Sequence, residues 1–200
     1  MPQLELPSWG GRRKGAGRKP QSKLRRVSHR ARPAHQARHP LHAVWRTRPD
    51  VPSLRKRAVM ELLRGALAAG GRGAAFRLVH YSVQGNHLHL VVEAHDKRSL
   101  SRGMQGLAVR VARAVNRAAG RVGRVFADHY FARELKTPAE ARRAVRYVLD
   151  NFLHHAHAGT DLQTDLCATQ APVAAPRTWL LTVGWLKSRA GPLPVAYWPR

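Results

Sequence analysis

Two histidines one residue apart, His87-Leu88-His89, lie in a β-branched and apolar run that reads as a strand over residues 87–94. Side chains on a strand alternate faces, so His87 and His89 share one side while Leu88 and Leu90 share the other. In such a strand their Cα atoms stand roughly 6.5–7 Å apart, near enough for both imidazoles to reach one divalent cation. With 12 histidines in 200 residues such pairs are common by frequency alone, and another stands at His155 and His157. That second pair falls in a helical stretch, where residues two apart point to different faces, so it is not a chelate. Tyr147 and Asn151 form a pair of a different kind, four residues apart and side by side on the flank of a predicted helix. Taken alone, a flanking Tyr ordinarily reads as a half-buried packing residue. Asn is a poor helix former, and its amide oxygen could be a third metal ligand beside the two imidazoles. That requires a helix laid across the sheet with this flank facing the histidine strand.

The elements that must position these residues follow from hydrophobic periodicity and punctuation. Residues 39–47, with Leu41, Val44 and Trp45, read as a first strand. Pro52 and Ser53 open a helix whose Val59, Leu62, Leu63, Ala66 and Leu67 recur at helical spacing until Gly70-Gly71 stop it. Residues 75–83 and 87–94 form a hairpin about Gln84-Gly85-Asn86. A long helix over about residues 99–118 carries Met104, Leu107, Ala108, Val111 and Val115 on one side and Arg102, Arg110, Arg113 and Arg117 on the other. Residues 124–136, with Val125-Phe126 and Tyr130-Phe131, read as extended, straight or bent. The last helix has the clearest start, with Thr137 as cap, Pro138 at the first helical position and Glu140 completing a capping box. Its stripe is Ala141, Ala144, Val145, Val148, Leu149 and Phe152. The order β-α-β-β-α-β plus a helix predicts an α+β, ferredoxin-like antiparallel sheet with helices on one face and an extra C-terminal helix. After residue 158 the composition reads as a tail that packs against the body.

Charge narrows the partner. The chain has 36 Lys+Arg against 11 Asp+Glu, a net +25, which points to a polyanion and above all to nucleic acid. Residues 10–38 hold 11 Lys or Arg and no acid, without hydrophobic period, so they read as a solvated basic arm. Within it, Gly15-Ala16-Gly17-Arg18-Lys19-Pro20 resembles minor-groove hooks, although a loose phosphate-holding tail is the simpler reading. The one cysteine, Cys167, excludes an internal disulfide framework and a multi-Cys zinc site. The longest apolar stretch, around residues 179–186, is far short of the roughly 20 residues a bilayer requires. The first ten residues, with Glu5 and two prolines, do not read as a secretory signal. No membrane partner is expected, and a cytoplasmic, nucleoid-associated protein is.

The run Asn86-His87-Leu88-His89-Leu90-Val91-Val92-Glu93 resembles the metal strand of the HUH single-strand transposases, and Arg146-Tyr147-Val148-Leu149-Asp150-Asn151 resembles their nucleophile helix. The likeness is strongest to the REP-associated tyrosine transposases of the insertion-sequence 200-like group. It spans about residues 39–158 and includes Gly103-Met104-Gln105-Gly106 and the stretch from Arg124 to Tyr130. The resemblance implies that His87 and His89 bind the metal, that Asn151 is the helix-borne ligand, and that Tyr147 is the single nucleophile. It implies three parts: a basic DNA-binding arm over 1–38, a catalytic domain over 39–158 and a tail over 159–200. It also implies Mg²⁺ as cofactor, single-stranded or hairpin DNA as substrate, and a monomer or homodimer.

These residue types suit that chemistry. A phenol ordinarily titrates near 10 and attacks a phosphodiester poorly unaided. A cation on His87, His89 and Asn151 would neutralise phosphate charge, and a site with two imidazoles also accepts Mn²⁺. A 5′-phosphotyrosine keeps the phosphoester energy, so strands can be rejoined without ATP. DNA-binding candidates are Arg12, Arg13, Lys14, Arg18 and Lys19 of the arm, then Arg102, Arg110, Arg113, Arg117 and Arg124; on spacing alone an ordinary solvated helix face is the simpler reading of Arg102, Arg110, Arg113 and Arg117. The rival reading is a non-catalytic basic nucleic-acid-binding module, and a third is an RNA-processing nuclease on the same fold.

Overall fold

The computed structural model describes residues 33–151, 165 and 167–194. Four strands, Leu41–Arg46 (β1), Phe76–Val83 (β2), His87–Ala94 (β3) and Phe131–Glu134 (β4), form one antiparallel sheet in the order β2-β3-β1-β4. This is the ferredoxin-like order expected from the sequence, with β1 and β3 central. Strand alternation splits the sheet into two dissimilar faces. Leu41, Ala43 and Trp45 of β1 and Leu88, Leu90 and Val92 of β3 pack against the helices Arg57–Gly70 (α1) and Lys97–Ala118 (α2). Val79 and Val91 face the other way, into a second core with helix Pro138–Leu149 (α3).

Local chemistry explains most element boundaries. Thr137 accepts from the Glu140 amide at 3.2 Å while Glu140 accepts from the Thr137 amide at 3.2 Å, the reciprocal box expected of α3. The Asp96 carboxylate accepts from the Ser99 amide at 2.7 Å, which starts α2 two residues earlier than periodicity indicates. Gly120, at φ +59°, turns the chain out of α2 through a backbone region open to glycine.

Two sequence expectations are corrected. The helix placed from Pro52 begins only at Arg57, because residues 51–56 are tied to the hairpin turn. There the Leu54 amide donates to Gly85 O at 2.8 Å, and Leu54 is fully buried as a plug. Residues 124–136 are not one extended segment. Arg48 N donates to Val125 O and Ala127 N to Arg46 O, Phe126 stacks on Trp45, and only Phe131–Glu134 forms a strand with β1.

The segment read as a tail is woven into the body. Val83 N donates to Cys167 O, Thr169 N to Tyr81 O, and Val173 N to Val79 O, so residues 167–174 run along the outer edge of β2. This pairing satisfies an edge that would otherwise present unmatched donors and acceptors. A π-helical turn, Leu180–Gly184, then runs into a last helical turn, Trp185–Lys187 (α4), and both pack Leu180, Leu181 and Trp185 against Val145, Val148 and Leu149 of α3. Two buried charges fasten this strap. Glu93 of β3 accepts from the Arg177 and Thr178 amides and the Thr178 hydroxyl. Arg142 of α3 donates to Gly191 O at 2.7 Å and to the Trp185 and Leu186 carbonyls at 3.3 Å. The carbonyls at the end of α4 are thereby capped by a cation.

Candidate active site

The candidate site lies on the face of the sheet opposite α1 and α2. Alternation along β3 sends His87 and His89 to this side, with their ring centroids 4.8 Å apart, while Leu88 and Leu90 are fully buried in the other core. The apolar stripe of α3 packs on the same face and sets the helix across the histidine strand. Tyr147, on the flank of that stripe, meets His89 edge-on at 5.1 Å between ring centroids, within a single chain. Its 41% exposure leaves the ring open to a large substrate.

A third imidazole joins the group. His42 of β1 stacks on His89 at 5.3 Å, and its Nε2 lies 3.2 Å from His89 Nδ1. It also meets Tyr147 edge-on at 5.8 Å. Burial, reinforced by the Arg133 guanidinium, lowers the His42 pKa to about 4, so the ring is neutral at pH 7. Sequence reasoning missed His42, although two of its signals combine to reveal it. Leu41, Ala43 and Trp45 alternate into the core and leave His42 on the opposite side, and β1 and β3 are neighbours in a ferredoxin-like sheet.

Asn151 does not sit in mid-helix as expected. The helix ends at Leu149, Asp150 is its C-cap, and Asn151 lies one residue beyond. It is 1% exposed, and among the described residues neither of its side-chain amide atoms has a hydrogen-bond partner. An amide buried in that condition is costly unless something fills its bonding sites. Among the described residues no group of three or more His, Cys, Asp or Glu is arranged to hold a metal. The chemistry of two imidazoles and one amide oxygen suits Mn²⁺ and, less ideally, Mg²⁺, and the contacts described join His89 to His87 and Tyr147 but do not include Asn151.

The proposed DNA contacts divide. Arg12, Arg13, Lys14, Arg18 and Lys19 lie outside the described residues, as do Phe152, His155 and His157. Arg102, Arg110, Arg113 and Arg117 are exposed, but α2 packs on the sheet face away from Tyr147. Arg124 is exposed in the loop after α2. Closer to the histidines are two arginines that periodicity gave no reason to choose. Arg46 is the register partner of His87, and Arg133 is that of His42. Both are exposed, and Arg133 also pairs with Glu140 at 2.7 Å.

The candidate site thus sets paired histidines beside a helix-borne tyrosine on a ferredoxin-like sheet, and comparison with known families gives the class, a DNA-processing enzyme. The family of IS200-like transposases matches residues 35–151, more than half of the chain, and the protein belongs to that family. Its fold is similar to that in a structure of the REP-associated tyrosine transposase bound to a REP hairpin, with TM-score 0.50 and 16% identity over 65% of this chain and 75% of that one. A crystal structure of a protein from Deinococcus radiodurans R1 aligns with TM-score 0.38 and 16% identity, over 68% of this chain and all of that one. No curated protein matches the chain. Among the described residues no helix is long and apolar enough to cross a membrane.

Proposed function

We propose that this transposase cleaves and rejoins single-stranded or hairpin DNA through a 5′-phosphotyrosine on Tyr147, with a divalent metal, Mg²⁺ or Mn²⁺, held by His87, His89 and Asn151. The observation that carries this reading is the edge-on approach of Tyr147 to His89 at 5.1 Å, with His87 a further 4.8 Å along. A bound cation would neutralise the non-bridging oxygens of the scissile phosphate and stabilise charge developing there. The Tyr147 oxygen forms a bond to phosphorus as the bond from phosphorus to the 3′ oxygen breaks. The phenolic proton passes to solvent and the departing 3′ oxygen takes one up. Reversal onto another 3′-hydroxyl rejoins strands.

Tyr147 and both imidazoles come together within one chain, which supports a monomer rather than a homodimer as the acting unit. Arg46 and Arg133 flank the imidazoles and suit phosphate positioning, while the arm residues supply long-range attraction. Support for a hairpin substrate comes from the REP hairpin bound by the structural neighbour, and support for a polyanion from the net charge of +25. Such an enzyme works in the cytoplasm on nucleoid DNA. The test is a labelled hairpin oligonucleotide incubated with Mg²⁺ and either the parent protein or Tyr147→Phe. The expected result is a covalent adduct mapping to Tyr147 in the parent and none in the variant. Equal cleavage by both, or an adduct on Tyr81, Tyr130 or Tyr197, refutes the assignment. Cleavage that survives a chelator refutes the metal.

A further inference from the structure

We infer that His42 and Asn86 are positioning residues that hold His89 and His87 in the tautomer presenting Nε2 to the cation. The inference rests on the metal reading above and deepens it.

Asn86, at the mouth of the hairpin, places its side-chain oxygen 2.7 Å from His87 Nδ1. That oxygen can only accept, so Nδ1 carries the proton and donates, and the lone pair of a neutral His87 resides on Nε2. His89 is held at the same nitrogen by a different device. Its Nδ1 lies 3.2 Å from His42 Nε2, and one proton must sit between these two atoms. With that proton on His89, His42 is the acceptor and the His89 Nε2 lone pair is available. With it on His42, His89 is protonated at Nε2 and cannot ligate there. Two imidazoles on adjacent same-face positions of β3 then offer matching nitrogens only in the first arrangement. His42 also restrains ring rotation, because it stacks on His89 at 25° between planes and meets Tyr147 edge-on. One side chain from the central strand β1 thus registers both a ligand and the nucleophile. Partners of this kind around ligating histidines typically contribute 10–100-fold in metal affinity.

The experiment uses the full chain without metal and with Mn²⁺. Long-range ¹H–¹⁵N correlation spectra of the histidine-labelled, metal-free protein should show His87 and His89 protonated at Nδ1. His42→Phe keeps a ring of similar size but no acceptor, and should give His89 mixed tautomers and an Mn²⁺ affinity about 10–100-fold lower by electron paramagnetic resonance. Asn86 is exposed, so Asn86→Ala leaves the core intact. It should scramble His87 alone and weaken Mn²⁺ by at least about tenfold. Asn86→Asp, which restores an acceptor, should recover the tautomer and the affinity. A metal-free parent with His89 protonated at Nε2, or Mn²⁺ binding unchanged in both His42→Phe and Asn86→Ala, overturns the positioning role and leaves the metal site standing. A parent with the expected tautomers that takes up no Mn²⁺ overturns the metal reading, and this inference with it.

Discussion

Glu93→Gln exchanges one oxygen for a nitrogen and should release the strap that seats α3. In the folded protein, Glu93 Oε1 accepts from Thr178 N at 2.8 Å, from the Thr178 hydroxyl at 2.7 Å and from Arg177 N at 3.1 Å, while Oε2 accepts from the same Arg177 N at 2.9 Å. The glutamine retains an oxygen for Thr178, but its NH₂ then faces the Arg177 N–H, donor against donor, and leaves that amide only the longer bond of 3.1 Å to the retained oxygen. One charge-assisted bond is lost and three become neutral, and since charged bonds contribute ~1.5–3 kcal/mol against ~1 for neutral ones, the sum at the lower values is about 3 kcal/mol. Urea denaturation should register this as a midpoint lower by about 1.5 M at an ordinary slope. Hydrogen exchange should localise the loss, with Leu181 and Trp185 amides opening before those of β1 and β3. Because Leu180, Leu181 and Trp185 pack against Val145, Val148 and Leu149, loosening the strap should also displace Tyr147 and slow cleavage of a hairpin oligonucleotide. A midpoint within about 0.3 M of the parent would refute the idea that these bonds clamp the strap.

Two further outcomes test the packing and the buried imidazoles. A Cβ on Gly103 would meet Phe76 Cγ at 2.1 Å and Cδ2 at 2.4 Å, so Gly103→Ala must push that ring off α2. The overpacking outweighs the gain in helix propensity and should lower stability by about 2 kcal/mol in chemical denaturation; parent-like stability would show that the ring does not lie on the helix. His80, 3% exposed with its Nδ1 3.2 Å from the Thr169 hydroxyl, has its pKa lowered from 6.5 to about 4 by burial. Between those values the unfolded chain binds a proton that the folded chain refuses, so stability falls as pH drops from 6.5 towards 4 and is unaffected by this group above 6.5. His80→Asn keeps a partner for Thr169 and should remove about 3 kcal/mol of that acid sensitivity; denaturation curves of equal pH dependence in parent and variant would count against a neutral buried His80.

What the sequence by itself determined was whatever depends on residues close together along the chain. The alternation of β3 put His87 and His89 on one side, the Thr137–Glu140 box started α3, and helical period laid Tyr147 on the flank of a buried stripe. These are local properties, because face and phase are set by neighbours within one or two turns. Tertiary structure alone decided which faces meet. It brought His42 from β1 under His89, sent the α2 arginines to the far side of the sheet, ended α3 before Asn151, and drew residues 167–194 back along β2 and over α3. Glu93 and Arg142 read in sequence as an acid in a strand and a base on a helix. They become fasteners only because residues more than forty positions away deliver backbone amides and carbonyls to them. Such pairings depend on edge satisfaction and on charge meeting an unmatched dipole, and neither leaves a period in the chain.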